Sequence, residues 1–210
     1  MQTQLKESQS QAGFRSEMRP LPQEVSSPIL VSERLVLRAP EMADINAIAH
    51  LANNMNVAAM VSRMPHPYTI KDAENFVARV ASGAMGKCVY AITIGETREL
   101  IGACGLEAHD TGRGLELGYW IGERYWNQGF ATEAAQTLID FGFRHFAADH
   151  IDARARVMNT GSRRVIQKCG FQFQGTGMAG SLALGGMVAV EWFRLDRKTW
   201  GSLRNWGGAR

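Results

Sequence analysis

The sequence predicts a single α+β domain in which helices flank a central, mostly antiparallel sheet. Three strand-like runs at 88–94, 100–107 and 114–121 are separated by short turn segments, which is the spacing of an antiparallel meander. A long helical pattern and another strand follow, so the middle of the chain predicts a crossover that joins a parallel pair. The meander and the crossover together predict a mixed sheet.

Length and composition favour one domain. The chain has 210 residues, and its 45% hydrophobic and 20% charged content is ordinary for a soluble globular protein. We expect the domain to occupy 31–200, because no internal repeat and no second boundary interrupt the pattern there. Residues 1–30 are rich in Gln, Ser, Glu and Pro and are predicted to be a flexible tail, and residues 201–210 a C-terminal tail.

The first part of the predicted domain alternates a strand with two helices. The run RLVLRAP at 34–40 alternates in polarity and ends at a proline, as a strand does. Apolar residues at helical spacing follow at 44–55 and again at 71–80. Two prolines between them predict a loop at 61–69.

The second half predicts one long helix and several shorter elements. Residues 130–147 repeat apolar side chains at helical spacing over four turns, which is the strongest helical pattern in the chain. The remaining predictions are a strand at 151–157, a short helix that is capped by Asn159 or Thr160 and stopped by Gly170, and strands at 171–175 and 187–195. Beyond them we expect a frayed terminus.

Charge and cysteine usage exclude several classes of function. A formal net charge of +3 without concentrated Lys/Arg runs does not favour nucleic-acid binding. Cys88, Cys104 and Cys169 are odd in number and widely spaced, which argues against disulfides and a metal site and favours a reducing cytoplasm. Apolar stretches are shorter than the roughly 18 residues of a membrane span, and the N-terminus lacks a signal peptide.

The stretch YWNQGFAT at 125–132 joins a strong strand to the strongest helix. A helix start leaves about four N–H groups without partners and carries the positive end of the helix dipole, so it can bind phosphate. Gly129 lets a ligand approach the main chain, and Ala131 and Thr132 keep the first turn small. These residues alone leave two interpretations open, a phosphate site and an ordinary turn.

Three motifs carry a resemblance to a known family. ELGYWI at 116–121, YWNQGFATEAA at 125–135 and NTGSRRVIQKCGF at 159–171 resemble the acyl-CoA-binding core of the GNAT superfamily of N-acetyltransferases. The branch they resemble is that of the ribosomal-protein N-terminal acetyltransferases. The resemblance covers most of 32–198 in element order, and it implies a sheet that is splayed at the cofactor site.

The resemblance implies where the acetyl-CoA co-substrate binds. The pyrophosphate is expected on the loop and first helical turn, at Gln128, Gly129, Phe130, Ala131 and Thr132. The pantetheine arm is expected along the strand that contains Leu117, Tyr119 and Ile121, and Asn159 and Ser162 are expected near the thiol. No metal is implied.

Two side chains are candidates for catalysis. Glu116 is the candidate base because it shares a strand face with Gly118 and Trp120 and so has free space; a solvated surface residue is the alternative. Ser162 is the candidate acid, with a helix-capping role as its alternative.

The chain departs from the family pattern at two positions. Ile166 stands where many members have a tyrosine acid, which leaves Ser162 as the nearest replacement. Trp126 stands where many members have Gln or Arg, so phosphate binding would rest on backbone N–H groups.

The resemblance therefore implies an acetyl-CoA-dependent N-acetyltransferase that transfers acetyl directly to a primary amine, at a protein N-terminus or on a small molecule. A non-catalytic acyl-CoA-binding regulatory module is the alternative, favoured by the missing tyrosine. We expect a cytoplasmic monomer or homodimer with no nucleic-acid or membrane partner. The acceptor would be selected by loops around 55–70 and 176–187, with His66 and Tyr68 as weaker candidates there.

Overall fold

An eight-stranded mixed sheet forms the centre of the fold. The structure is a computed structural model that describes residues 28–86, 88–108 and 114–207, so the predicted tail up to residue 27 and the turn at 109–113 lie outside the described residues. The strands are β1 (Leu30–Val31), β2 (Leu35–Arg38), β3 (Val89–Ile94), β4 (Leu100–Ala108), β5 (Gly114–Ile121), β6 (His150–Arg156), β7 (Gln172–Ser181) and β8 (Gly186–Asp196).

The strand order across the sheet is β1-β2-β3-β4-β5-β6-β8-β7. β5 and β6 run parallel, whereas the other neighbouring strands of the described sheet pair antiparallel. The helices are α1 (Ile45–Ala52), α2 (Met55–Ala58), α3 (Ile70–Ala81), α4 (Phe130–His145), α5 (Thr160–Lys168) and α6 (Arg197–Gly207). The predicted meander is β3-β4-β5, and α4 is the predicted crossover helix, so the α+β mixed sheet is confirmed.

Helix α4 packs closely on β4 and β5. A Cβ atom on Gly142 would lie only 2.6 Å from Leu106 Cδ1, so a larger residue here would force the Leu106 side chain or the helix to shift. Leu138 and Phe143 of α4 are almost fully buried, and truncating such side chains costs about 2–5 kcal/mol. On the opposite face of the sheet, Gly122 comes so close to α1 that a Cβ would lie 2.8 Å from Leu51.

Four elements differ from the sequence prediction. β1 begins at Leu30, the last residue of the predicted tail 1–30, and pairs antiparallel with β2. α2 is a four-residue helix capped by Asn54, too short to show a periodic pattern. β7 extends to Ser181 because it pairs with β8, although its glycines give no alternating polarity.

The prediction of a frayed terminus is wrong up to Gly207, where α6 ends. Trp200 of α6 stacks on Phe143 at 5.1 Å between ring centroids and donates its Nε1–H to Asp140 at 2.7 Å. These tertiary contacts stabilise a helix that has little pattern of its own.

A buried ion pair fixes the start of α1. The Arg38 guanidinium donates to both oxygens of Asp44, at 2.7 and 2.8 Å, and the Glu41 N–H donates to Oδ2 at 2.7 Å. Burial alone would raise the pKa of Asp44, but these hydrogen bonds outweigh it and lower that pKa.

We expect Asp44→Asn to lower the free energy of unfolding by about 1–3 kcal/mol at pH 7, because it leaves Arg38 without its charged partner. The folded-state pKa of Asp44 is lowered, so the stabilisation is present above the ordinary carboxyl pKa of about 4 and is lost as the pH falls below it. Urea unfolding at pH 7 and pH 3 measures both effects.

Glu41→Gln is the matched control, since Glu41 is 65% exposed and lies 3.9 Å from the same guanidinium. It should change the stability by less than about 0.5 kcal/mol. Equal losses for the two variants at pH 7 would contradict the assignment.

Candidate active site

Strands β5 and β6 part halfway along β5. The parallel register runs only from Gly114 opposite His150 to Leu117 opposite Ala153, whereas β4 stays paired with β5 as far as Ile121. The second half of β5 therefore has β4 on one side and an open wedge on the other. We call this space between Gly118–Ile121 of β5 and the end of β6 the wedge.

The main chain of β5 offers hydrogen-bonding groups to the wedge. The Gly122 N–H donates to Ile101 on the β4 side at 2.8 Å, so by the two-residue period of a strand Tyr119 and Ile121 direct their N–H and C=O groups to the wedge. The Trp126 indole Nε1–H donates to the Ile121 carbonyl at 2.7 Å. Of the three residues predicted to meet the pantetheine arm, Leu117 is still in register with β6, whereas Tyr119 and Ile121 lie beyond that register.

Helix α4 begins at the mouth of the wedge without a side-chain cap. Gly129 precedes it with φ +83°, the left-handed conformation that favours glycine. By contrast, α2, α3 and α5 each begin with a side-chain cap, supplied by Asn54, Thr69 and Asn159 respectively. Among the described residues, the first N–H groups of α4, at Phe130, Ala131 and Thr132, therefore have neither intrahelical nor side-chain acceptors, which is the arrangement that binds phosphate.

A hydrogen-bond network holds this helix start in place. Glu133 accepts hydrogen bonds from the Arg34 N–H at 2.7 Å, the Arg34 guanidinium at 2.7 Å and the Ser32 hydroxyl at 2.8 Å. Arg34 also donates to the Gln128 carbonyl at 3.0 Å and lies over the Phe130 ring. Burial alone would raise the pKa of Glu133, but the hydrogen bonds from Arg34 and Ser32 outweigh it and lower that pKa.

Sequence reasoning missed Ser32 and Arg34. Arg34 lies 99 residues from Glu133 in the chain, and no local pattern joins them. One signal could have found a partner of this kind: a carboxylate in the first turn of a phosphate-binding helix repels the phosphate unless a cation neutralises it.

The predicted thiol-end residues lie together at the start of α5. The Asn159 Oδ1 accepts the Ser162 N–H at 2.9 Å, so Asn159 is the helix cap and the hydroxyl of Ser162 is not. The Ser162 Oγ lies 2.9 Å from the Tyr119 hydroxyl of β5. Ile166 is 1% exposed and belongs to the core.

Glu116 faces the side of the sheet opposite α4, in an ion pair. Arg154 of β6 donates to both of its carboxylate oxygens at 2.7 Å, and the Arg154 guanidinium lies over the Trp192 ring. On the neighbouring strand, the cross-strand partner Glu107 accepts a hydrogen bond from Arg63 at 2.7 Å. The role of Glu116 as a base stays a prediction.

Two chain segments border the Glu116 face. The β7–β8 hairpin contacts the segment after α2 through the Leu182 N–H, which donates to the Ser62 carbonyl at 3.0 Å. Arg156 of β6 donates to the Ala59 carbonyl in the same segment. Tyr68 is half-buried, and burial raises its pKa to about 12, so the phenol stays protonated at neutral pH.

Other site types find little support in the described ranges. Within them no group of three or more His, Cys, Asp or Glu side chains could hold a metal ion. Among the helices of the described residues, none has the length and apolar character that crossing a membrane requires.

A mixed sheet that parts beside an uncapped, glycine-started helix agrees with the fold that the three sequence motifs imply. The profile of the acetyltransferase (GNAT) domain matches residues 34–172, and the chain therefore belongs to the GNAT acetyltransferase family. It is an N-acetyltransferase enzyme. The family resemblance drawn from the three motifs is thereby confirmed, whereas the roles of individual site residues stay predictions.

Relatives cover the chain broadly. The uncharacterised N-acetyltransferase p20 of Bacillus licheniformis is 29% identical over 174 residues, which span 80% of this chain and 96% of p20. The crystal structure of a GNAT-family acetyltransferase from Bacillus anthracis is 23% identical with a TM-score of 0.72, covering 81% of this chain and 99% of that one. Mycobacterium smegmatis RimJ in complex with CoA-disulfide is 19% identical with a TM-score of 0.68, covering 82% and 89%.

We expect Gly129→Val to weaken CoA binding by at least about tenfold, because a β-branched side chain at positive φ is strained and would cover the free N–H groups of α4. Its Cβ would also lie 3.3 Å from Arg34 Nη2. Isothermal titration calorimetry with CoA measures the affinity.

Gly83→Val is the matched control. Gly83 has a similar φ of +74° after α3 and open space around it, so both variants should lose about 1–3 kcal/mol of stability. Only the change at Gly129 should alter CoA affinity; unchanged affinity there would contradict the phosphate site.

Trp126→Phe removes the indole donor to Ile121 and keeps the aromatic ring. We expect the dissociation constant for CoA to change by less than about threefold, because the phosphate contacts come from backbone N–H groups. The same calorimetric titration tests this, and a loss as large as that of Gly129→Val would show that the indole contributes to phosphate binding.

Proposed function

We propose that this enzyme transfers the acetyl group of acetyl-CoA directly to an α-amino group, as found at the N-terminus of a protein or peptide or on an amino-acid-like small molecule. The observation that carries the proposal is the parting of β5 and β6 after Leu117, beside the uncapped start of α4. The wedge offers main-chain groups to an extended amide-containing arm, and α4 offers N–H groups to its phosphates.

The residues present fit acetyl-CoA. Tyr119 offers a strand edge for the pantetheine amides, and Gly129, Phe130, Ala131 and Thr132 surround the phosphate position. Gln128 is exposed, and its side-chain amide donates to the Arg124 carbonyl. Gln128 would therefore offer its backbone N–H to a phosphate. When bound, acetyl-CoA supplies an activated thioester, and the protein supplies orientation, an oxyanion donor and proton transfer.

Direct transfer is supported by the state of the cysteines. Cys88, Cys104 and Cys169 are all buried. Burial raises the pKa of Cys88 to about 11 and that of Cys169 to about 12, and it raises that of Cys104 as well. These thiols stay protonated at neutral pH and are poor nucleophiles, so an acetyl-cysteine intermediate is disfavoured.

The choice of an α-amino group follows from the cost of deprotonation. At pH 7 an amine with a pKa of about 8 costs about 1.4 kcal/mol to neutralise, whereas a lysine with a pKa of about 10.4 costs about 4.6 kcal/mol. Glu116 already accepts two hydrogen bonds from Arg154, which hold its carboxylate in place. A weak base is sufficient for an α-amino group.

We propose that the acceptor amine approaches from the Glu116 face of the sheet. α4 and α5 cover the other face of the sheet. The thioester of bound acetyl-CoA would lie between these two helices and the wedge. The hairpin contact from Leu182 to Ser62 and the contact from Arg156 to Ala59 border the approach to Glu116. An amine that enters there meets the wedge from the side opposite the phosphates.

We expect thiol release from acetyl-CoA with a lysine-free peptide that has a free N-terminus. Its Nα-acetylated counterpart with one internal lysine should react at least about tenfold more slowly at pH 7, given the difference in neutralisation cost. A thiol-reactive dye measures the rate, and mass spectrometry locates the acetyl group. Turnover of the lysine peptide alone would overturn the choice of acceptor, and tight CoA binding without turnover of any amine would overturn catalysis.

For a substrate that turns over, Glu116→Gln should lower kcat/KM by about tenfold or more, since general bases contribute at least this much. Glu107→Gln is the matched control, because Glu107 lies directly across from Glu116 in an ion pair of its own. Initial rates across pH 6–9, about the range of an α-amine titration, measure the effect. An unchanged rate for Glu116→Gln would remove it as the base.

A further inference from the structure

A tyrosine hydroxyl lies against the predicted acid Ser162. Tyr119 extends from β5 on the α4 side of the sheet, and its hydroxyl lies 2.9 Å from the Ser162 Oγ and 3.3 Å from the Ser162 carbonyl. The contact joins residues 43 positions apart, across the region where β5 has lost its partner β6. It is the nearest contact made by either hydroxyl in the described structure.

The Ser162 hydroxyl has no part in starting α5. The cap of α5 is the Asn159 side chain, which accepts the Ser162 N–H at 2.9 Å. The hydroxyl is therefore left with Tyr119 as its neighbour, at the end of the wedge where β6 gives way to α5. A serine that served only to cap the helix would use its oxygen on a backbone N–H instead.

We propose that Tyr119 is a positioning residue, whose hydroxyl donates a hydrogen bond to Ser162 Oγ and so leaves the serine proton free for the sulfur of the leaving CoA. This inference rests on the proposed function. A serine hydroxyl has one proton, and when its oxygen accepts from Tyr119 that proton can point elsewhere. The Tyr119 backbone, on the same residue, lines the wedge where the pantetheine arm would run.

The proton balance of the step is closed. The amine nitrogen forms a bond to the acetyl carbon, and the carbon–sulfur bond breaks with its electron pair going to sulfur. Ser162 gives its proton to that sulfur and regains one that the amine nitrogen gives up, carried by water. The Tyr119 hydroxyl keeps its own proton throughout and stabilises the negative charge that develops on Ser162 Oγ.

The surroundings of Tyr119 suit a donor that stays protonated. Burial is the main cause that raises its pKa, the hydrogen bond with Ser162 lowers it by less, and Cys169 raises it further. One helical turn after Ser162, the Ile166 side chain is packed in the core and offers no hydroxyl. Helix α5 therefore has no hydroxyl at position 166, and the Tyr119–Ser162 pair, formed between β5 and α5, supplies one instead.

The first test compares Tyr119→Phe, Ser162→Ala and the double variant. Tyr119→Phe should lower kcat by about tenfold while the KM for acetyl-CoA changes by less than about threefold, because the lost hydroxyl acts after binding. The double variant should be no slower than Ser162→Ala, because Tyr119 acts only through Ser162. Additive losses would overturn the proposal, as would an unchanged kcat for Tyr119→Phe.

Tyr90→Phe is the matched control. The Tyr90 hydroxyl is buried in the core and has no hydrogen-bond partner among the described residues. Tyr90→Phe therefore removes a hydroxyl oxygen, as Tyr119→Phe does, but breaks no hydrogen bond. It should leave kcat unchanged. Thermal unfolding of each variant shows whether a loss of rate reflects a loss of folded protein.

A second readout does not depend on turnover. Ultraviolet absorbance of the thiolate gives the pKa of the CoA thiol in its complex with the enzyme. A hydroxyl that donates to sulfur stabilises the thiolate, so this pKa should rise by about half a unit or more in Ser162→Ala and in Tyr119→Phe, but not in Tyr90→Phe. Equal values in all four proteins would overturn the proposal.

The two readouts separate this inference from the proposed function. If the wild-type enzyme acetylated no amine, the proposed acetyl transfer would fail, and the thiol titration would still decide whether Tyr119 positions Ser162. If the wild-type enzyme turned over and Tyr119→Phe matched it, only the role of Tyr119 would fail.

Discussion

The parallel pairing of β5 with β6, and its end after Leu117, is the constraint on which the site depends. Parallel strands need a crossover, which α4 supplies, and they carry their carboxyl ends to the same edge of the sheet. The helices that follow them, α4 and α5, therefore both begin at that edge. Two helix N-termini and an unpaired strand edge meet in one place, and the strand edge and the uncapped α4 offer hydrogen-bond donors to a ligand.

Two ion pairs, one on each face of the sheet, neutralise carboxylates near the wedge. On the α4 face, Arg34 neutralises Glu133, which would otherwise repel a phosphate at the helix start. On the opposite face, Arg154 pairs with Glu116 beside the expected acceptor. In the proposed complex the phosphates would meet mainly backbone N–H groups, and the amine would meet a carboxylate that is paired with Arg154. This division explains why a mild net charge is compatible with an anionic co-substrate.

Local signals in the sequence were sufficient for much of the fold and part of the site. The left-handed Gly129 and the long helix after it follow from neighbouring residues, and so does the β3-β4-β5 meander. What the sequence could not show depends on long-range packing. Arg34 contacts Glu133, which lies 99 residues later in the chain, and Tyr119 contacts Ser162 across the wedge. Helix α6 is stabilised by the contact of Trp200 with Phe143. Such pairs leave no periodic trace in one sequence.

The most direct test of the account is to locate CoA on the protein by the backbone amide chemical shifts and hydrogen exchange that it perturbs. We expect the largest changes and the strongest protection at Tyr119 and at Phe130, Ala131 and Thr132, where α4 begins. The opposite end of the same helix has a cavity of about 440 Å³ lined by Phe143, His145 and Arg197, which serves as an internal comparison. Perturbation centred there, with the α4 start unchanged, would contradict the central claim.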